Sequence, residues 1–477
     1  MKVFLNILVI SLVLLLEACK TYSQPVQNKV IVEKPNIIMI HIDDLGYHDL
    51  SVNGSEIYQT PNIDELASES VVFENAYANF PRCVPSRYAM MTATWPIIDD
   101  GVPDDGFELG SIPQEQNLVK KIDAAGYHTA FFGKWHLGSG VNGPKGFGFD
   151  YSFAAGEAGS PISYFYPFNE PSKEHVKSNK TPIPDVDEVG KKGDYLNDVL
   201  TNQVIAHIEK NSEKPFFIAL NHYAVHQPIE AKKADAERNK KQIASHDFGD
   251  LPEYISEGTG RTKMRQDNPQ YAGMVENMDE NVGKLLDFLK KFGLEDNTII
   301  IFSSDHGGLS NDGLKERNLA TSNYPLRAGK GWLYDGGVRV PLFLKWKNEL
   351  EPRQEEKSIV MLMDILPSIL DIVSGEQVEA VDGKSFLPVL KNEETWEDRT
   401  VFWHSDKARP VNTGESNASA IRSGKWKLVD FYEENRIELY DLEKDEGEQN
   451  DLSKAHPDLV QDLDKNLNNW KKEFNED

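Results

Sequence analysis

Four runs of strand length, each almost wholly apolar, set the strongest limit on how this chain can fold. Asn36 to His41 reads Asn-Ile-Ile-Met-Ile-His and is followed by Asp43-Asp44. Thr129-Ala-Phe-Phe leads into Gly133-Lys134-Trp135-His136. Pro215-Phe-Phe-Ile-Ala-Leu leads to Asn221-His222 and on to His226, and Thr298-Ile-Ile-Ile-Phe leads to Ser303-Ser304-Asp305-His306. A run without polar alternation suits a strand covered on both faces, as in a parallel sheet flanked by helices. Each run delivers charged, polar or metal-competent side chains just past its C-terminal end, the edge where ligands bind in open α/β sheets.

The intervening segments supply helices. Residues 62–69, 117–125, 196–209 and 271–292 carry apolar residues at helical spacing. In the last, Met274, Met278, Val282, Leu285, Leu286 and Leu289 form one stripe, whose methionines belong to a core. Residues 228–266 are polar and Lys-rich and are expected to form a long surface excursion near the site. After residue 375 the pattern shortens. Thr400-Val-Phe-Trp-His, Ser419-Ala-Ile-Arg, Trp426-Lys-Leu-Val-Asp-Phe and Glu438-Leu-Tyr-Asp-Leu read as antiparallel strands, and 456–474 as a final helix. The expected architecture is α/β. A mostly parallel central sheet flanked by helices occupies 35–375, and a smaller C-terminal subdomain of antiparallel sheet plus helix occupies 376–477.

The N-terminus reads as a targeting segment. Lys2 precedes an apolar stretch from Val3 to Leu16, too short for a stable transmembrane helix and suited to an export signal over 1–18. Leu16-Glu17-Ala18-Cys19 resembles a bacterial lipobox with Cys19 as the lipidated residue, followed by a polar tether over 19–34. A plain signal peptide cut near Ser23 is the alternative. The expected location is the cell envelope, lipid-anchored and facing the periplasm, because Lys20-Thr-Tyr-Ser lacks the acidic stretch that could mark surface export. The membrane is then a partner through the lipid alone. With Cys19 lipidated, only Cys83 remains and no disulfide can form, so the fold rests on its core.

Net charge of −26 argues against nucleic acid as a partner, since phosphate binding needs clustered Lys and Arg. The same charge repels anionic polysaccharide at long range, so an anionic substrate would need a local basic pocket.

The chemistry-bearing residues follow from the strand ends. Asp43, Asp44, Asp305 and His306 form the best metal-ligand set. Three carboxylates and one further ligand suit a hard divalent cation, Ca²⁺ ahead of Mg²⁺, and a zinc site would want more His or Cys. Either Asp pair alone could equally cap a helix or make a turn; their joint occurrence at two strand ends favours the metal. Lys134, His136, His226 and Lys330 are the candidate anion ligands and proton donors. Lys134 and His136 are two apart, so an extended backbone would point both to one side. His222, before the loop bends, is read as structural.

The chain resembles a type I sulfatase of the alkaline phosphatase-like superfamily. The resemblance rests on Cys83-Val-Pro-Ser-Arg87 with its continuation to Thr92, on Asn36 to Gly46, and on Gly126-Tyr127 through Gly138. It continues in Asn221 to Pro228, Ser304 to Gly308, Pro325 to Pro341, Asp382-Gly383, and Trp426-Lys-Leu-Val with Glu438-Leu-Tyr-Asp-Leu. It implies that Cys83 is oxidised to formylglycine by a transient maturation enzyme and becomes the nucleophile. It implies that Asp43, Asp44, Asp305 and His306, with the modified Cys83, bind Ca²⁺. Arg87 would hold the aldehyde hydrate and support the metal site. Lys134 and Lys330 would grip sulfate oxygens, His136 would orient the hydrate or take its proton, and His226 would protonate the leaving alcohol. The chain departs from the family at His306, where many members have Asn, at His48 for Gly, and at Ala93 for Gly.

An aldehyde suits the reaction because its hydrate offers two hydroxyls. One attacks; the other later loses its proton and expels sulfate, splitting a hard displacement into two steps. The expected substrate is a sulfated oligosaccharide, most simply an algal one such as an ulvan fragment, desulfated at a chain end. Tyr47, His48, Arg327, Trp332, His404, Arg409 and Arg422 are candidates for touching the sugar. The alternatives are a phosphodiester or phosphonate monoester hydrolase of the same superfamily, and a non-catalytic glycan-binding lipoprotein.

Overall fold

Asn36–Ile42 is fully buried along its length and lies inside an eight-stranded sheet. The computed structural model describes residues 34–97, 101–103, 106–171 and 179–474, so the export signal and the lipobox at Cys19 lie outside the described residues. The strand order is Arg353–Glu355, Val71–Phe73, Leu342–Trp346, Thr298–Ser304, Asn36–Ile42, Phe216–Asn221, His128–Gly133 and Tyr151–Phe153. The four runs singled out in the sequence are adjacent, and all are parallel. Among the described strands of this sheet, Leu342–Trp346 runs opposite to its neighbours.

The apolar runs lack alternation because each face of the sheet has its own helical cover. Ile38, Ile40 and Ile42 pack into one core with Ile218, Leu220, Ile300 and Phe302. Ile37 and Met39 pack into the other with Phe217, Ala219, Ile299 and Ile301. Met274, Met278, Val282, Leu285 and Leu289 of the helix Pro269–Phe292 belong to the first core, as their spacing indicates. That helix starts at Asn268, whose side chain accepts from the Gln270 and Tyr271 amides, and stops at Gly293, which has φ of 73°.

Register then fixes the site. Ile42 pairs with Ser304, and both His41 and Gly133 are level with Asn221, so the strands end together. The ladder continues past them: the Asp305 amide donates to the Ile42 carbonyl at 3.1 Å and the Lys134 amide to the Asn221 carbonyl at 2.8 Å. Gly133 makes this approach possible. It has φ of 89°, and a Cβ there would sit 1.9 Å from the Asn221 carbonyl oxygen.

The helix Cys83–Thr92 places its first residue at this edge and ends at Ala93, which has φ of 57°. Glycine would hold this left-handed position without strain. The Ala93 carbonyl accepts from the Asp382 and Gly383 amides at 2.9 and 2.8 Å, the local role of that Asp-Gly pair.

Residues 228–266 are more ordered than a surface excursion. Lys233–Ser245 is a helix, and Ala231 and Ala236 belong to the first core. A Cβ at Gly273 would come within 2.8 Å of the Ala231 Cβ, so the missing side chain allows the close approach. Tyr254–Glu257 and Gly260–Lys263 form a hairpin that pairs with Asn311–Asp312. Buried apolar positions too sparse to show a period carry this segment.

The C-terminal strands Thr400–Ser405, Ala418–Ser423, Trp426–Phe431 and Arg436–Asp441 form the expected antiparallel sheet. One face packs Ile421, Leu428 and Leu439 against Leu463, Leu467 and Trp470 of the helix Pro457–Lys472. The other packs Trp403, Ala420, Val429 and Tyr440 against Tyr77, Trp332 and Tyr334.

Candidate active site

Cys83 lies at the centre of a buried charged cage. Its Sγ is 3.6 Å from Asp43 Oδ1, 3.9 Å from Asp44 Oδ1, 3.2 Å from His306 Nε2 and 3.5 Å from Lys330 Nζ. Asp43, Asp44, Cys83 and His306 each offer one ligand atom, all within 4.8 Å of one another. Asp305 stands beside this group: its Oδ1 accepts from the Asp44 amide at 3.1 Å and is 3.6 Å from His306 Nε2. The His306 Nδ1 lies 2.9 Å from the Gly307 carbonyl, which fixes the proton there and turns the Nε2 lone pair to the cage.

The cations divide among the carboxylates. Arg87 donates to Asp305 Oδ2 from Nε at 3.1 Å, to the Lys134 carbonyl at 2.8 Å, to Asn221 Oδ1 at 3.2 Å and to Asp43 Oδ1 at 3.4 Å. Lys134 Nζ is 2.6 Å from Asp43 Oδ2, and Lys330 Nζ is 2.5 Å from Asp44 Oδ1. Burial, with Asp305, Cys83 and Asp44 nearby, holds Asp43 well above the usual carboxylate range despite Lys134. Burial also opposes ionisation of Asp44, but His226 and Lys330 bring it below that range. Burial would raise the Cys83 thiol, yet Lys134, Lys330 and His306 pull it well below its ordinary value. The two adjacent carboxylates are thus pushed apart by burial and by the cations each one faces. Oxygen donors with one imidazole nitrogen fit a hard divalent cation.

The two proton-transfer candidates flank the cage. His136 lines the same cavity as Cys83 and sits at φ of 60°. It therefore reaches this cavity through a left-handed turn, not through the extended backbone expected from its spacing to Lys134. Gly159 leaves room for it, since a Cβ there would lie 2.3 Å from His136 Nε2. His226 directs Nε2 toward Asp44 Oδ2 at 3.6 Å, while its Nδ1 is 2.9 Å from the Gln227 carbonyl. Tyr164 holds this loop through its hydroxyl, which lies 2.6 and 2.8 Å from the Tyr223 and His226 carbonyls and shares its one proton between them. Burial beside Lys330 and Lys134 lowers the free His226 ring to about 3. His222 is fully buried and lies outside the cage.

Cys83, His136, His226, Lys330 and Arg82 line a cavity of about 750 Å³. Of the proposed sugar contacts, Arg409 lines it. The others are engaged elsewhere. Tyr47 lies under the Arg339 guanidinium, and His48 Nδ1 is 2.5 Å from the Asn53 carbonyl. Arg327 pairs with Glu257 at 2.9 Å, and Trp332 Nε1 donates to the Thr413 carbonyl at 2.9 Å. His404 pairs with Ser419 at 2.8 Å, and Arg422 covers Tyr77. Sequence reasoning missed Asn221, which orients Arg87, and Arg82, one residue ahead of the Cys83 run. Both sat beside a marked residue, which was the available signal.

A family model described as Sulfatase matches residues 35–375, and one described as N-sulphoglucosamine sulphohydrolase, C-terminal, matches residues 328–473. A Formosa agariphila protein named "Sulfatase" is 29% identical, over 92% of this chain and 89% of its own. The N-acetylgalactosamine-6-O-sulfatase of Bacteroides thetaiotaomicron is 26% identical, over 92% of this chain and 93% of its own. The crystal structure of Ps i-CgsB in complex with k-i-k-neocarrahexaose is similar with a TM-score of 0.72 and 28% identity, covering 93% of this chain and 94% of that one.

Arg87 is the group whose removal the cage should tolerate least. Arg87→Ala leaves Asp43 and Asp305 facing each other in a buried space, at a cost of roughly 3–5 kcal/mol in denaturant unfolding. Asp305→Asn added to it should recover part of that loss. A cost below about 1 kcal/mol, within the range of an ordinary exposed pair, would contradict this reading.

Proposed function

The chain belongs to the sulfatase family, and from that premise we propose that it hydrolyses sulfate esters of sulfated oligosaccharides, algal ones in particular, with ulvan fragments among them. The observation that carries the reading is the convergence of Asp43, Asp44, His306 and Lys330 on the Cys83 side chain. The names of two relatives support a glycan as substrate, one an N-acetylgalactosamine-6-O-sulfatase and the other solved with k-i-k-neocarrahexaose. A cavity of about 750 Å³ is of the size that encloses a small ligand, which favours action at a chain end.

In this proposal Cys83 is converted to formylglycine, and Asp43, Asp44, Asp305 and His306 hold Ca²⁺. The aldehyde, as its hydrate, would supply a hydroxyl oxygen as nucleophile, and the ion would supply positive charge that lowers the cost of an oxyanion at neutral pH. The chain's own residues do the rest. Lys134 and Lys330 reach the cage from opposite carboxylates and offset charge on the sulfuryl oxygens. Arg87 is spent on Asp305, Asp43 and two oxygens of neighbouring strands, so its part is to lock the carboxylates. His136, in the same cavity as Cys83, orients the nucleophile and takes its proton. His226 delivers a proton to the leaving oxygen, with Asp44 and an incoming sulfate favouring its charged form.

Sulfate release measured by ion chromatography tests the reading. The substrates are ulvan, carrageenan, fucoidan and glycosaminoglycan oligosaccharides, with a phosphodiester beside them. The enzyme is co-produced with a formylglycine-generating enzyme, and position 83 is checked by peptide mass. Sulfate from a glycan, absent with Cys83→Ala, is the expected result. Phosphodiester cleavage without sulfate would move the chain to a phosphohydrolase, and glycan binding with an intact thiol and no turnover would make it a binder.

His226→Ala should separate leaving groups. Loss of roughly 10²–10⁴-fold is expected on a sugar sulfate, whose alkoxide needs a proton, and a much smaller loss on 4-nitrophenyl sulfate, whose phenolate does not. Equal losses on both would remove His226 from the role of acid.

A further inference from the structure

Outside the cage, a second group of cations has no partner in the chemistry described so far. Arg82, Lys315, Arg317 and Arg409 line a cavity of about 400 Å³ together with Lys330 and His226, and none of its lining residues is a carboxylate. In a chain of net charge −26, like charges gathered on one wall are not a sample of the surface. Arg82 and Arg409 also line the cavity that contains Cys83, so the two spaces adjoin.

The inner cations are already paired: Lys134 with Asp43, Lys330 with Asp44, Arg87 with Asp43 and Asp305, and Arg82 with the buried Glu415. The outer ones are not. Among the described residues, Arg317, Arg409 and Lys315 have no carboxylate in salt-bridge contact. Arg317 donates from its side chain to the Asn412 carbonyl at 3.4 Å, and Arg409 meets Glu415 through its backbone amide. The loop that presents Arg409 is anchored. The Thr413 amide returns to the Arg409 carbonyl at 2.9 Å, and the Thr413 carbonyl accepts from Asn311 at 2.6 Å and Trp332 at 2.9 Å. Guanidiniums on one wall of a cavity suit a planar or tetrahedral oxyanion, which each can bind through two hydrogen bonds at once.

We propose that Arg317 and Arg409, backed by Arg82 and Lys315, form a subsite for a second oxyanion on the substrate, carried close to the sulfate that is cleaved. The group is a further sulfate ester or a uronate carboxylate. This rests on the sulfatase reading above and deepens it: the preferred glycan is at least dianionic, and a neutral sugar bearing one sulfate is a poor substrate.

The test compares kcat/KM of the mature, full-length enzyme on three classes of probe. These are 4-nitrophenyl sulfate, monosulfated neutral sugars such as galactose and N-acetylgalactosamine 6-sulfates, and oligosaccharides with a second anion. The last class divides into carrageenan and fucoidan fragments with two sulfates, and ulvan and glycosaminoglycan fragments with one sulfate and a uronate. The highest value is expected on one arm of the last class, and that arm identifies the anion. Arg317→Ala and Arg409→Ala should each lower it roughly 10- to 100-fold, as for loss of a charge-assisted hydrogen bond. The loss on that fragment should exceed the loss on 4-nitrophenyl sulfate at least tenfold. Turnover of a monosulfated neutral sugar as fast as any dianionic fragment, or equal losses on fragment and aryl sulfate, overturns the subsite while leaving the sulfatase reading intact. No sulfate from any probe, with the aldehyde verified at position 83, overturns both.

Discussion

Three carboxylates buried at one level of a sheet edge are the constraint to which the rest of this structure answers. Asp43, Asp44 and Asp305 are each no more than 3% exposed. Ionised carboxylates cannot be left unpaired in such a place, because the cost of desolvation exceeds what any single hydrogen bond returns. Arg87, Lys134 and Lys330 come to them from a helix, a strand end and a distant loop, and each reaches a different set of oxygens. Asp43 still resists ionisation with these cations in place. In the function proposed above, a divalent ion adds positive charge at this cage.

The fold makes the cage by alignment. Parallel strands that stop at the same register put Asp43, Lys134 and Asp305 side by side without any one loop having to build the site. The helix beginning at Cys83 then brings its first residue over them, with Ser86 Oγ tied to the Asp305 carbonyl at 2.6 Å. The C-terminal subdomain closes one side and contributes the Arg409 loop. The carboxylates and Cys83 thus sit at the ends of strands and a helix, while Lys330, His226 and the outer wall come from loops.

How far the sequence reveals this depends on which physical signal each feature leaves. The central strands and the helix Pro269–Phe292 are legible because two-sided burial and a 3.6-residue stripe both write themselves into composition. Lys134, His136, His226, Lys330 and the cage carboxylates are legible as polar residues at strand ends and in shared runs, and the structure brings all of them around Cys83. The helix Lys233–Ser245 is hidden because only Ala236, Asp235 and Asn239 of it are buried, too few to show a period. Candidates for touching a sugar were the least legible. Tyr47, Arg327 and Arg422 are the residue types that bind sugars, yet each is spent on an internal partner. Arg317 sits in a loop without pattern, and tertiary folding alone brings it beside Arg82 and Arg409.

The central claim is that the cage around Cys83 is completed by one divalent cation. Metal content, measured by elemental analysis on protein dialysed against trace Ca²⁺ and then washed, tests it most directly, with Asp43→Asn as the comparison. The account predicts one calcium per chain in the wild type and none in the variant. A wild-type chain that releases sulfate while holding no divalent metal would contradict it.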